Sequence, residues 1–176
     1  MQKNEVEAYE NFPIWACLLS WSFSLSIYVL GSYILGVLYF PLAIVYVFYC
    51  LWIEMRILKM SCVHCYYYGK NCGLGRGKLC ALLFKKGNPE KFIETEISWK
   101  DLIPDFMVMI FPLIGGIVFL ILDFSLLILI LMVILVMLSM GGNAMIRGSL
   151  ACKYCKQKEL GCPAEQFFCK KSKTGD

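Results

Sequence analysis

Residues Pro13 to Ile53 read PIWACLLSWSFSLSIYVLGSYILGVLYFPLAIVYVFYCLWI, 41 residues with no side chain that carries charge at neutral pH. A helix needs roughly 20 such residues to cross a bilayer, so this stretch is long enough to cross twice with almost no loop between. Gly31, Ser32, Gly36 and Pro41 lie near its middle and mark the expected turn. The reading places a first transmembrane helix over about 13–33 and a second over about 36–57. A second apolar block, Phe106 to Ile146, is interrupted by one charge, Asp123. It yields two further helices over about 104–122 and 125–146, with the turn at Asp123-Phe124-Ser125. There Asp123 or Ser125 is expected to cap the fourth helix at the membrane surface.

The two blocks belong to a duplication. Cys62, Cys65, Cys72 and Cys80 recur as Cys152, Cys155, Cys162 and Cys169, at offsets of 90, 90, 90 and 89 residues. Pro13 and Pro104 keep nearly the same register, as do Arg56 and Arg147. The expected fold is an all-α integral membrane protein. It consists of two parallel two-helix repeats, related by an axis along the membrane normal, each followed by a small four-cysteine module. Repeat 1 covers 1–88 with its module at 62–80. Repeat 2 covers 89–176, with a connector at 89–103 and its module at 152–169. Small-residue contacts through Gly31, Gly36, Gly115 and Gly116 would join the helices into a four-helix bundle.

Composition agrees, with 59% hydrophobic residues and a mean hydropathy of +0.65. Such values exceed those of ordinary soluble domains. All 17 Lys and Arg fall on one side of the expected spans, and none lies in the two short turns. The positive-inside rule then predicts a multi-pass protein of the cell membrane with both termini and both modules in the cytoplasm. Met1 to Asn11 is acidic and lacks the basic start of a secretory signal, so the first span is expected to remain as an anchor. The net charge of +4 is accounted for by basic residues beside anionic headgroups, without nucleic acid. The partners expected are the lipid bilayer and a redox protein or quinone-like carrier; oligomeric state is not legible.

Cytoplasmic thiols stay reduced, so an even set at matched spacing points to metal ligation over disulfides. The modules read C-x2-C-x6-C-x7-C and C-x2-C-x6-C-x6-C, and all eight cysteines, Cys62, Cys65, Cys72, Cys80, Cys152, Cys155, Cys162 and Cys169, are candidate metal or cofactor ligands. The C-x2-C pair presents two thiolates from one tight turn. Structural zinc usually takes a second such knuckle, which neither module supplies by itself. An iron–sulfur cluster holds its thiolates farther apart and tolerates single cysteines six or seven residues on. Two iron–sulfur clusters used in electron transfer are therefore the first reading, and two zinc ions stabilising a non-catalytic membrane scaffold the alternative. A thiol–disulfide oxidoreductase built on Cys62-Cys65 and Cys152-Cys155 leaves four module cysteines without a role. Transport lacks a charged or polar path through the spans.

Cys17 and Cys50 lie within spans and read as small apolar side chains. His64 reads as an outer partner of the first module or as exposed, because its counterpart Tyr154 cannot ligate in the same way. A single histidine also excludes paired axial ligation of a haem. The loop Gly73 to Lys78 matches neither a phosphate loop nor a dinucleotide fingerprint; it reads as glycines that let backbone amides approach sulfur. Tyr66, Tyr67 and Tyr68, with Phe167 and Phe168, read as aromatic anchors at the headgroups or as a shield that keeps solvent from a cluster. No Ser-His-Asp set, paired carboxylate or catalytic residue emerges.

Overall fold

The computed structural model describes residues 8–94 and 99–162. Cys169, Phe167 and Phe168 of the second module lie outside the described residues, as do Glu96 and Ile97 of the connector. The described chain is helical: α1 Ile14–Leu38, α2 Phe40–Met60, α3 Arg76–Leu83, α4 Pro89–Glu94, α5 Trp99–Leu122 and α6 Leu126–Met137. The line of α6 continues through two wide π-helical stretches, Leu138–Gly142 and Ile146–Ala151, on either side of α7 Asn143–Met145; α8 Lys156–Glu159 follows. Four helical stretches are long and apolar enough to span a membrane: Ile14–Leu38, Phe40–His64, Lys100–Leu122 and Leu126–Gly148. Only 22% of the most apolar window of each is buried within the chain. Side chains such as Ile121, Leu122, Phe48 and Phe40 stand largely exposed. Apolar surface on that scale calls for lipid rather than water. This is the makeup of a multi-pass membrane protein.

The first turn falls at Tyr39 and not at Gly31–Gly36. Pro41 explains this, because its missing amide is tolerated in the first turn of α2. Gly31, Ser32 and Gly36 stay helical, since a helix in lipid must satisfy its own backbone. Ser32 bonds back to the Tyr28 carbonyl at 2.7 Å, which uses its hydroxyl without breaking the helix. The second turn lies at Asp123 to Ser125, as the sequence predicts. Ser125 takes the extended backbone of an N-cap (φ −125°, ψ 117°) but its side chain makes no capping bond.

The chain divides into two compact units that cut across the repeats. One comprises Trp21–Arg56 and Trp99–Ala144. In it, Pro112 interrupts the hydrogen-bond ladder of α5 and frees the carbonyl of Val108, four residues earlier. The Tyr46 hydroxyl on α2 donates to that carbonyl at 2.8 Å. Gly31 makes the reach possible, since a Cβ there would collide with the Tyr46 ring and hydroxyl. Gly115 lies against Leu35, and Gly116 against Met132 and Ile34. Gly31, Gly115 and Gly116 thus receive large side chains rather than one another, whereas Gly36 faces the small Ala43. Arg56 binds Asp101 through both its carbonyl, at 3.1 Å, and its carboxylate, at 3.2 Å, with Asp105 at 3.9 Å.

The other unit comprises Met1–Ser20, Ile57–Ser98 and Met145–Asp176, and so collects both cysteine-bearing segments with the start of the chain. At its centre lies Tyr67, 2% exposed, with Phe12 and Ala16. The headgroup-anchor reading of Tyr67 is thereby corrected. Its ring is core, because its hydroxyl finds two backbone partners: it donates to the Tyr9 carbonyl at 2.5 Å and accepts from the Lys156 amide at 2.9 Å. A buried tyrosine needs such partners.

Candidate thiol site

The duplicated sequence produces a duplicated local backbone. The Cys65 amide bonds the Cys62 carbonyl at 3.3 Å, and the Cys155 amide bonds the Cys152 carbonyl at 3.4 Å. The next bond repeats too, Tyr68 amide to Cys65 carbonyl and Lys158 amide to Cys155 carbonyl, both 3.1 Å. Cys65 and Cys155 both have extended backbone, with φ of −79° and −84°. Each C-x2-C pair is therefore one tight knuckle.

In both knuckles burial and neighbouring backbone amides act on the thiols in opposite directions. Burial pushes the Cys65 thiol up to about 11, against the opposing pull of the Tyr67 and Tyr66 amides. Burial likewise takes Cys155 to about 12, opposed by the amides of Gln157 and Lys158. An amide on sulfur favours the thiolate, whereas burial of an uncompensated charge disfavours it. Cys72 receives the Arg76 amide at 3.1 Å, at the start of α3. Gly75 makes that approach possible by turning the chain at φ +74°, so the reading of the Gly73–Lys78 loop as a sulfur-approaching turn agrees with the geometry. Gly77 is pressed against the Lys70 and Tyr67 carbonyls with no room for a Cβ.

The two cysteine segments are fastened to each other. The Tyr66 amide donates to Gln157 Oε1 at 2.8 Å, and Gln157 is 5% exposed. A single parallel backbone bridge pairs Tyr9 with Cys155, and the Tyr9 amide bonds the Tyr154 carbonyl at 3.0 Å. Tyr9 stacks on Tyr154 at 5.0 Å. Lys156 holds Glu10 at 2.9 Å, which lowers the Glu10 carboxyl below its usual range. Gly73 meets Ala151, where a Cβ would stand 2.8 Å from the alanine Cβ.

The candidate ligands divide by neighbourhood. Cys65, Cys72 and Cys155 pack on the Phe12, Ala16 and Tyr67 cluster. Cys62 packs with Leu58, Val63 and Cys80 in a second cluster, within electrostatic reach of Cys72, Cys80 and Cys65. Cys80 is 0% exposed and turns its sulfur to the Leu58 carbonyl at 3.7 Å; burial, then the neighbouring Cys72, raises its thiol. Cys162 is half-buried and acts electrostatically on both Cys65 and Cys155, whereas Cys152 is exposed. His64 points to the connector: its Nδ1 lies 2.9 Å from the Asn88 carbonyl, an acceptor, so Nδ1 carries the proton. Among the described residues, no three His, Cys, Asp or Glu side chains are placed to hold a metal ion. The chemistry of the donors suits a soft metal, but the described sulfurs do not close around one.

Three features escaped the sequence reading. Cys17 donates its thiol to the Cys72 carbonyl at 3.0 Å, and Ser20 bonds the Gly73 carbonyl at 2.6 Å, so the start of α1 braces the cysteine loop. Tyr9 and Phe12 join the core between the two cysteine segments. Gln157 is a buried latch; it stands 90 residues after Tyr67, and the repeat register itself was the available signal. No protein-family model matches the chain, nor does any curated protein or solved structure.

Proposed function

We propose that this is a multi-pass metalloprotein of the cell membrane, with both termini and the cysteine segments in the cytoplasm. Its cysteine thiolates hold two iron–sulfur clusters, which pass electrons between a soluble redox protein and a quinone-like carrier in the bilayer. The observation that carries the reading is the pair of equivalent C-x2-C knuckles gathered in one compact unit, with the Arg76 amide on the Cys72 sulfur beside them. Amides that favour thiolate are the outer support a metal–sulfur centre uses to tune its ligands. The orientation rests on the one-sided distribution of Lys and Arg.

A second reading, a zinc-stabilised membrane scaffold without catalytic activity, is favoured by one specific observation. The two knuckles lie in the same unit and are latched through Tyr66 and Gln157. Opposed knuckles are the usual ligand source for structural zinc, and neither repeat has the pair by itself.

The deciding experiment is a visible spectrum with iron, zinc and acid-labile sulfide analysis on protein purified anaerobically in detergent. Broad visible absorbance with comparable iron and sulfide supports electron transfer. A colourless protein containing zinc supports the scaffold, and a protein with neither metal overturns both readings.

A further inference from the structure

We infer that the two repeats share one metal site, built from Cys65 and Cys72 of the first and Cys155 and Cys162 of the second, in place of one site per quartet. This rests on the metal-binding reading above and specifies which thiolates carry it.

The first support is packing. Cys65, Cys72 and Cys155 lie against one apolar cluster, Phe12, Ala16 and Tyr67. Cys62 and Cys80 lie against another, with the Cys80 sulfur committed to the Leu58 carbonyl. Cys62 is within electrostatic reach of Cys65, Cys72 and Cys80, but a site made of the first quartet alone would draw ligands from both clusters and would need the Cys80 sulfur to leave the Leu58 carbonyl.

The second support is the set of bonds that hold the segments in register. Tyr66 amide to Gln157, Lys156 amide to the Tyr67 hydroxyl, and Tyr9 paired to Tyr154 all tie a residue within two positions of Cys65 to one within two positions of Cys155, directly or through Tyr9. Gln157 Nε2 then donates to the Gly161 carbonyl at 3.4 Å. Gly161 turns at φ +100° immediately before Cys162, which lies within electrostatic reach of both Cys65 and Cys155.

The third support is chemical. The Arg76 amide reaches the Cys72 sulfur at 3.1 Å, the kind of donor that a metal-bound thiolate needs. Cys152 is exposed, whereas Cys65, Cys72 and Cys155 are half-buried. The four sulfurs do not enclose an ion as placed. Ligation itself supplies that closure in small thiolate sites, where metal binding and the gathering of the ligands are one event.

The test loads the full-length chain in detergent with cadmium, a thiolate-seeking probe with its own nuclear resonance. One cadmium per chain and a single cadmium resonance are expected for the unaltered protein, so the result does not depend on any variant folding. Cys65→Ser and Cys155→Ser should each abolish loading, while Cys80→Ser and Cys152→Ser should retain it. Two ions per chain, with Cys155→Ser leaving one bound, would overturn the shared site and leave the metal-binding reading intact. One ion that Cys80→Ser removes would also overturn it. No cadmium bound by the unaltered chain would sink both.

Discussion

Tyr67 illustrates how a single hydroxyl can hold three segments, since it donates to Tyr9 and accepts from Lys156 while its ring fills the core. Tyr67→Phe leaves a carbonyl and an amide without that partner, and should cost about 1–3 kcal/mol. Faster limited proteolysis near residues 8–12 and 154–158 in detergent would register the loss. Gly77→Ala should be worse, about 3 kcal/mol, because the new methyl meets two backbone oxygens that have nowhere to go. The buried thiols set a pH dependence of opposite sense to that of a paired carboxylate. Cys65 at about 11 and Cys155 at about 12 lie above the unfolded value of about 8.5, so the unfolded chain loses its protons first as pH rises. For metal-free protein the contribution to stability is complete below about pH 8.5 and is lost as pH climbs through 11 to 12. Unfolding followed in metal-free buffer from pH 7 upward should show the midpoint falling; a midpoint that rises would refute the assignment.

At the level of elements, the sequence marks where helices are apolar but not which backbone groups need outside help. Pro112 is visible in the sequence, yet the residue that satisfies the carbonyl it frees lies on another helix, 62 positions from Val108. Tyr46→Phe should therefore destabilise the helical unit by about 1 kcal/mol, a typical value for a bond between helices in a membrane. In a Pro112→Ala background the amide at 112 returns and the same change should cost less. Equal costs in both backgrounds, measured by thermal unfolding in detergent, would separate Tyr46 from the proline. The turn positions follow the same logic. Glycines inside a lipid-facing helix read as breakers by local propensity, but the demand for internal hydrogen bonds overrides it and moves the turn to Tyr39, just ahead of Pro41 in the first turn of α2.

For the whole molecule, the proposed orientation makes Cys152 the informative probe, since it is exposed while Cys80 is not. In sealed inside-out vesicles a membrane-impermeant maleimide should label Cys152 and spare Cys80. Labelling of Cys152 only in right-side-out vesicles would invert the topology. The repeat is legible in the sequence because its cysteines keep register over some 90 residues, and the structure repeats the knuckle bonds at that offset. What register does not show is which cysteines become neighbours. The compact units take pieces from both repeats, so residues far apart in the chain share a core.

The sequence by itself determined four membrane-length helices, the second turn, the doubled knuckle and the sulfur-approaching loop. These depend on composition, local spacing and glycine's conformational freedom, all of which act within a few residues or one helix length. Only the tertiary structure decided that Tyr67 is core, that Cys17 braces Cys72, and that Cys65 and Cys155 share a neighbourhood apart from Cys80. Those outcomes depend on which buried polar groups find partners across segments more than 50 residues apart, and burial without such partners is too costly for any other arrangement to compete.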